Sequence, residues 1–139
     1  MNNLILKNIT NEYELKEFIE SCKEETKSFR YFSNRPYDIF KTHICSYLLY
    51  LNDAAIGYYH IENENNINWF GICISKKYQG YGIGSFILNH MISTCKLNNI
   101  EKIHLSVDIN NSVAINLYNK FNFKIKKVNE FYLEMIKEF

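Results

Sequence analysis

The chain has 139 residues, 47% of them apolar, 16% aromatic and 22% charged, with 16 basic side chains against 15 acidic ones. This length suits one domain, expected over 1–139, with a core large enough to fold without disulfide or metal staples. The composition excludes disorder and collagen-like repeats, and a net charge of +1 leaves no electrostatic footprint for nucleic acid.

The first residues reach Glu12 without a long apolar run, so no signal peptide is expected. No stretch approaches the roughly 18 apolar residues of a membrane span, and a cytoplasmic location follows as the expectation. Residues 3–9 alternate as a strand. Thr10 or Asn11 then caps a helix whose first turn carries Glu12 and Glu14, with Tyr13, Leu15, Phe18, Ile19 and Cys22 at helical spacing. Residues 27–36 form an aromatic and basic stretch ending at the single Pro, and a second helix is expected from there to about His43.

Two apolar runs, 44–51 and 54–61, meet at Asn52-Asp53, a hairpin signal. A polar turn at 63–66 leads into a strand at 67–75 that contains Gly71, read either as a bulge or as close packing against a neighbour such as Trp69. Then come a helix over 82–96 ended by Asn98-Asn99, a strand over 102–107, a helix over 113–120, and strands at 123–127 and 131–136. The fold class is therefore α/β (α+β), with about seven strands and four helices.

Cys22, Cys45, Cys73 and Cys95 show neither a Cys-x-x-Cys pair nor histidines at zinc-ligand spacing. They are expected to be buried thiols in a reducing compartment, and no metal site is expected.

The most informative segment is the run from Trp69 to Gly84, in which a buried strand enters a loop with Gly80, Gly82 and Gly84 that opens a helix. Glycines allow positive φ and remove Cβ atoms from the path of an anion, and a helix N-terminus adds about half a positive charge at the same place. A diphosphate suits such a site. The dinucleotide fingerprint fails because Ser85 and Ile87 stand where its third Gly belongs, and the Gly-Lys-Ser/Thr of a Walker loop is missing.

Gln79-Gly80-Tyr81-Gly82-Ile83-Gly84 resembles the Gln/Arg-x-x-Gly-x-Gly/Ala signature of the GNAT N-acetyltransferase superfamily. A second segment, with Asn111, Ala114, Leu117, Tyr118 and Phe123, is similar to that family's Asn-x-x-Ala-Ile-x-Leu-Tyr-x-x-x-Gly-Phe, with Asn122 in place of Gly. Asn tolerates the left-handed backbone such a turn needs. The resemblance implies a mixed, mostly antiparallel sheet with a splayed parallel strand pair in the middle, the acyl-CoA N-acyltransferase fold. It also implies acetyl-CoA as co-substrate.

By that resemblance the diphosphate lies on Gln79, Gly80, Tyr81, Gly82, Ile83, Gly84 and Ser85. The pantetheine arm takes main-chain hydrogen bonds from Ile72, Cys73 and Ile74, and the N–H of Cys73 or Ile74 serves the oxyanion. Tyr118 is implied as the acid for the leaving thiolate, or else it is a core tyrosine. Asn111 either caps its helix or touches the cofactor. Many relatives carry a Glu on the strand matching 67–75, where this chain has Asn66 and Asn68. Asn68 could hold a water, and Glu62, which shares a strand face with His60, ranks first as the base or else is a carboxylate solvated at the surface. His43, His90 and His104 read as structural or exposed. The implied acceptor is a small-molecule primary amine near Phe29, Arg30, Tyr31 and Arg35, where aromatics and arginines suit a nucleotide-linked amino sugar. A protein N-terminus, a metabolite amine and a CoA-binding module without turnover stay open, and the aromatic-rich closing strands could pair two copies into a homodimer.

Overall fold

The computed structural model describes residues 3–23 and 28–139, so the Lys27 end of the aromatic stretch lies outside the described residues. Among these residues seven strands form one sheet: β1 Leu4–Asn8, β2 Cys45–Leu51, β3 Ala54–Glu64, β4 Ile67–Ile74, β5 Lys102–Asp108, β6 Lys124–Val128 and β7 Tyr132–Glu138. Their order is β1-β2-β3-β4-β5-β7-β6. Every pair is antiparallel except β4 with β5. Three α-helices, α1 Glu12–Ser21, α2 Ile83–Leu97 and α3 Ser112–Lys120, cover the sheet.

The Asn11 side chain caps α1 by accepting from the N–H groups of Tyr13 (2.8 Å) and Glu14 (3.3 Å). This helix buries Leu15, Phe18 and Ile19 against one face of the sheet, in a cluster with Leu48, Tyr58 and Cys73. On the other face α2 lays Ile87, Leu88 and Met91 against Leu49, Tyr59, Ile61 and Phe70. Because both faces are covered, Ile56 to Ile61 of β3 are buried without a break, and alternation is lost there. No helix among the described residues is long and apolar enough to cross a membrane.

The second expected helix takes another form, two 3-10 turns at Tyr31–Ser33 and Tyr37–Thr42. Pro36 lies between them; it lacks an N–H and disfavours helical backbone at the residue before it, so no α-helix runs through the stretch. The β3–β4 hairpin is tighter than the expected turn over 63–66. Asn65 and Asn66 have φ of 53° and 66°, so a two-residue loop suffices and β3 continues to Glu64. Glu62 is thereby a strand residue facing Trp69 across the ladder. Among the described residues, each non-glycine at positive φ is an asparagine, and Asn122 (φ 66°) is one of them.

Gly71 is not a bulge. The β3–β4 register runs unbroken through His60↔Gly71, and a Cβ on Gly71 would stand 2.5 Å from His60 Cε1. The missing side chain makes room for the His60 ring rather than for Trp69. The splay between β4 and β5 has a different cause: the two strands share a single register pair, Trp69↔His104, and diverge beyond it.

Candidate active site

The divergence leaves one edge of β4 without a sheet partner. The N–H of Ser75 donates to Ile56 O at 2.9 Å, so Ser75 points its main chain at β3. Backbone donors alternate along a strand, which puts the N–H of Cys73 on the β3 side and those of Ile72 and Ile74 on the open side. Of the two N–H groups considered for the oxyanion, only that of Ile74 faces the gap. The Cys73 side chain packs on the α1 face, with its Sγ 3.7 Å from that of Cys22.

A cavity of about 290 Å3 runs along this open edge, between Ile72–Ile74, Gln79, Gly80 and Gly84 on one side and Ala114 and Leu117 on the other. The three loop glycines have two separate reasons to be glycine. Gly80 (φ 86°) and Gly82 (φ 80°) adopt left-handed backbone with nothing within 4 Å of a Cβ, and Gly82 is the N-cap of α2. At Gly84 a Cβ would come 2.7 Å from Leu117 Cδ2, so this glycine lets α2 and α3 approach. The loop is tied to the strand by Gln79 Nε2, which donates to Ile74 O at 3.0 Å. Tyr81 is exposed, Ser85 half-buried, and Ile83 so deeply buried that only its main chain can face a ligand. Loop N–H groups at the start of a 15-residue helix, beside an open strand edge, fit a diphosphate with a long amide arm.

A second cavity, about 390 Å3, lies on the α1 side of the gap and includes Arg35, His60, Glu62, Glu64, Trp69 and Asp108. Ser28, Phe29, Ile72, Asn111 and Tyr118 line both cavities, so the two form one passage with Tyr118 at the junction. Asn111 caps α3, its side chain accepting from Ala114 N at 3.3 Å. Tyr118 is 6% exposed, and burial pushes its phenol well above the usual tyrosine value, so the hydroxyl stays protonated.

No buried side-chain nitrogen or oxygen among the described residues lacks a partner. The Tyr118 hydroxyl and Glu62 Oε1 bond to nothing there, so both reach the open passage. Phe29, Arg30, Tyr31 and Arg35 also line the larger cavity. Arg30 forms a two-pronged pair with Asp108 at 2.8 and 3.1 Å, across the mouth of the gap. Arg35 stacks its guanidinium 4.1 Å from the Tyr31 ring centre. Asn68 lies apart. It bonds Asn63 at 2.9 Å and lines a different cavity with Ile44, Asn66 and Glu101, on the strand face opposite to Glu62.

Three residues outside the sequence-based set matter here. Asp108 is placed by the end of β5, His43 by the end of the Tyr37–Thr42 turn, and Ser46 by β2, where it pairs with His60. The His43 side chain is fully shielded, with Nε2 2.7 Å from the Tyr31 hydroxyl and Nδ1 2.7 Å from Ser46 Oγ. The Tyr31 hydroxyl in turn donates to Glu62 Oε2 at 2.7 Å. Glu62 Oε2 is also 3.7 Å from His43, which would favour an imidazolium, but burial and the nearby Arg35 outweigh it and lower the His43 pKa to about 4. His60, stacked 4.4 Å from His43, is likewise lowered by burial.

The two neutral imidazoles predict acid sensitivity. The unfolded chain binds protons near pH 6.5 that the folded chain refuses, so this stability is complete above pH 6.5 and drains away as pH falls toward about 4. Between pH 7 and 4.5, His43 alone should account for about 2–3 kcal/mol, read as a lower urea midpoint, and His43→Gln should shrink the difference.

A glycine loop at a helix start thus stands beside an open strand edge and a passage joining two cavities. A model of the acetyltransferase (GNAT) family matches residues 7–123. The chain belongs to the GNAT acetyltransferase family. It is 33% identical over 95 residues to N-alpha-acetyltransferase 50 of Danio rerio, covering 64% of this chain and 56% of that protein. It is 31% identical over 64 residues to the L-amino acid N-acetyltransferase AaaT of Escherichia coli, covering 45% and 40%. The matched region thus spans about half the length of these curated relatives. Its fold is also that of PaiA N-acetyltransferase from Thermoplasma acidophilum, solved in complex with coenzyme A, with a TM-score of 0.82 at 16% identity over 98% of this chain and 99% of that one.

Proposed function

We propose that this chain transfers the acetyl group of acetyl-CoA to a primary amine, by direct attack within one ternary complex. The single observation that carries the reading is the continuous passage. One arm is shaped for a diphosphate and a pantetheine arm; the other is lined by polar and aromatic groups; Tyr118 stands between them. Acetyl-CoA supplies the activated thioester, and the chain's own groups do the rest. Main-chain N–H groups of the Gln79–Ser85 loop hold phosphate. The open edge of β4 at Ile72 and Ile74 aligns the arm and offers an N–H to the carbonyl oxygen. The Tyr118 hydroxyl, kept protonated by burial, donates a hydrogen bond to the departing sulfur. An alkyl ammonium must lose a proton before it can attack, and Glu62, with one oxygen open to the passage, takes that proton.

For the acceptor, the lining of the larger cavity favours the α-amine of an amino acid or a peptide over a nucleotide-linked amino sugar. Three carboxylates, Glu62, Glu64 and Asp108, stand there against two arginines, and Arg30 is already engaged by Asp108. A diphosphate would meet more negative than positive charge, whereas an ammonium is drawn in. Two relatives carry names that point the same way, an N-alpha-acetyltransferase and an L-amino acid N-acetyltransferase. Release of free CoA thiol, followed with a thiol-reactive chromogen, tests the reading on amino acids, short peptides, polyamines and UDP-linked amino sugars. Turnover with amino acids or peptides above the others supports it. Preference for the sugar nucleotides restores that acceptor, and tight acetyl-CoA binding without turnover on any amine leaves a CoA-binding module.

A further inference from the structure

We propose that Tyr31 and His43 are positioning residues for Glu62, acting through a one-way hydrogen-bond chain that runs Ser46 to His43 to Tyr31 to Glu62 and leaves Glu62 Oε1 as the oxygen that receives the acceptor's proton. This rests on the acetyl-transfer reading and adds to it two residues and a direction.

The direction follows from counting protons. The Tyr31 hydroxyl has one proton, and it goes to Glu62 Oε2, since an ionised carboxylate can only accept. The Tyr31 oxygen is then an acceptor at 2.7 Å from His43 Nε2, so Nε2 carries the imidazole proton. A neutral ring has no second N–H, so Nδ1 accepts from the Ser46 hydroxyl, 2.7 Å away. Each donor in the chain has one acceptor, and the chain ends at a carboxylate that lines the cavity.

The surroundings keep this geometry rigid. The Tyr31 ring packs against His60 (centroids 4.3 Å apart) and the Arg35 guanidinium, and contacts the Phe32 ring edge-on at 4.9 Å. His43 is stacked on His60, whose Nδ1 is 2.7 Å from the buried Tyr58 hydroxyl, and Gly71 leaves the space that the His60 ring occupies. A glutamate with three rotatable bonds is held by one oxygen while the other points into the passage. During transfer the acceptor's N–H bond breaks, its proton forms an O–H bond at Oε1, and the nitrogen lone pair becomes available for the carbonyl carbon. Oε2 keeps its bond from Tyr31, so the carboxyl group does not rotate away.

The test is steady-state kinetics of Tyr31→Phe, His43→Ala and His43→Gln on whichever acceptor the wild type turns over best. Tyr31→Phe keeps the ring and its stacking and removes the donor. It should lower kcat about tenfold or more, the usual weight of a hydrogen bond to a charged group, with KM for acetyl-CoA unchanged. His43→Ala should fall similarly. His43→Gln, whose amide N–H can replace Nε2–H, should recover to within about threefold of wild type, a rescue that mere space-filling does not predict. Wild-type kcat in Tyr31→Phe overturns the proposal, as does a His43→Gln no better than a folded His43→Ala. If His43→Ala fails to fold, Tyr31→Phe decides alone. A wild type with no turnover on any amine overturns this proposal together with the acetyl-transfer reading, whereas an active wild type with an unaffected Tyr31→Phe overturns this one only.

Discussion

Glu62→Gln should lower kcat by about a hundredfold to a thousandfold, the span expected when a positioned proton acceptor is lost, while acetyl-CoA affinity stays at the wild-type level. The change is nearly isosteric. The amide oxygen it introduces can still accept from the Tyr31 hydroxyl, so the aromatic packing around Tyr31, His43 and His60 stays in place. What disappears is an oxygen able to take a proton at the passage. Stopped-flow or steady-state CoA release gives the rate, and calorimetric titration with acetyl-CoA gives the affinity. A Glu62→Gln variant running at the wild-type rate would mean that water alone accepts the proton, and Glu62 would then be only part of the cavity wall.

The second large effect is expected at the loop. Gly82→Val puts a β-branched side chain at φ 80°, where L-residues pay on the order of 1–2 kcal/mol and β-branched ones more, so the backbone leaves that conformation. Gly82 is the N-cap of α2, and its departure turns away the N–H groups proposed to hold the diphosphate of acetyl-CoA. Acetyl-CoA should bind about tenfold to a hundredfold more weakly, in line with one lost hydrogen bond to a charged oxygen. Gly84→Ala is the control that separates two kinds of glycine. Its Cβ would press on Leu117, so it should lower the melting temperature more than the affinity. Equal affinity losses in both variants would refute a special role for the left-handed loop residues.

The loop and the Glu62 neighbourhood differ in how much of each can be read along the chain. The loop was legible in the sequence because its information is local: alternate glycines between an apolar run and a helical repeat describe a strand–loop–helix turn without reference to any other part of the chain. Asn122 was readable for the same reason, since tolerance of positive φ belongs to the residue itself. The Glu62 neighbourhood was only half legible. Strand alternation places His60 and Glu62 on one face, yet whether Glu62 was strand or turn depended on how tightly Asn65-Asn66 closes the hairpin. Asn68 is close enough in sequence to hold a water at the same site, and the pleat of β4 carries it to the opposite face.

His43 shows most clearly what one-dimensional reading lacks. Nothing near it in sequence marks it as other than a residue before a strand. Its environment arises from contacts with Tyr31, Ser46, His60 and Glu62, and all four lie on other elements. The Arg30–Asp108 pair joins residues 78 apart, and only the convergence of the aromatic segment with the end of β5 brings them together.

The amino-acid sequence by itself determined the fold class, the family and the glycine loop, because short-range periodicity, capping and glycine conformation act over a few residues and leave their mark in order along the chain. Tertiary structure decided which carboxylate faces the passage, which β4 amides are unpaired and what holds Glu62 in place. Those outcomes depend on register and on the packing of side chains distant in sequence. A one-residue slip in register would turn Glu62 to the opposite face of the sheet, away from Tyr31 and the larger cavity.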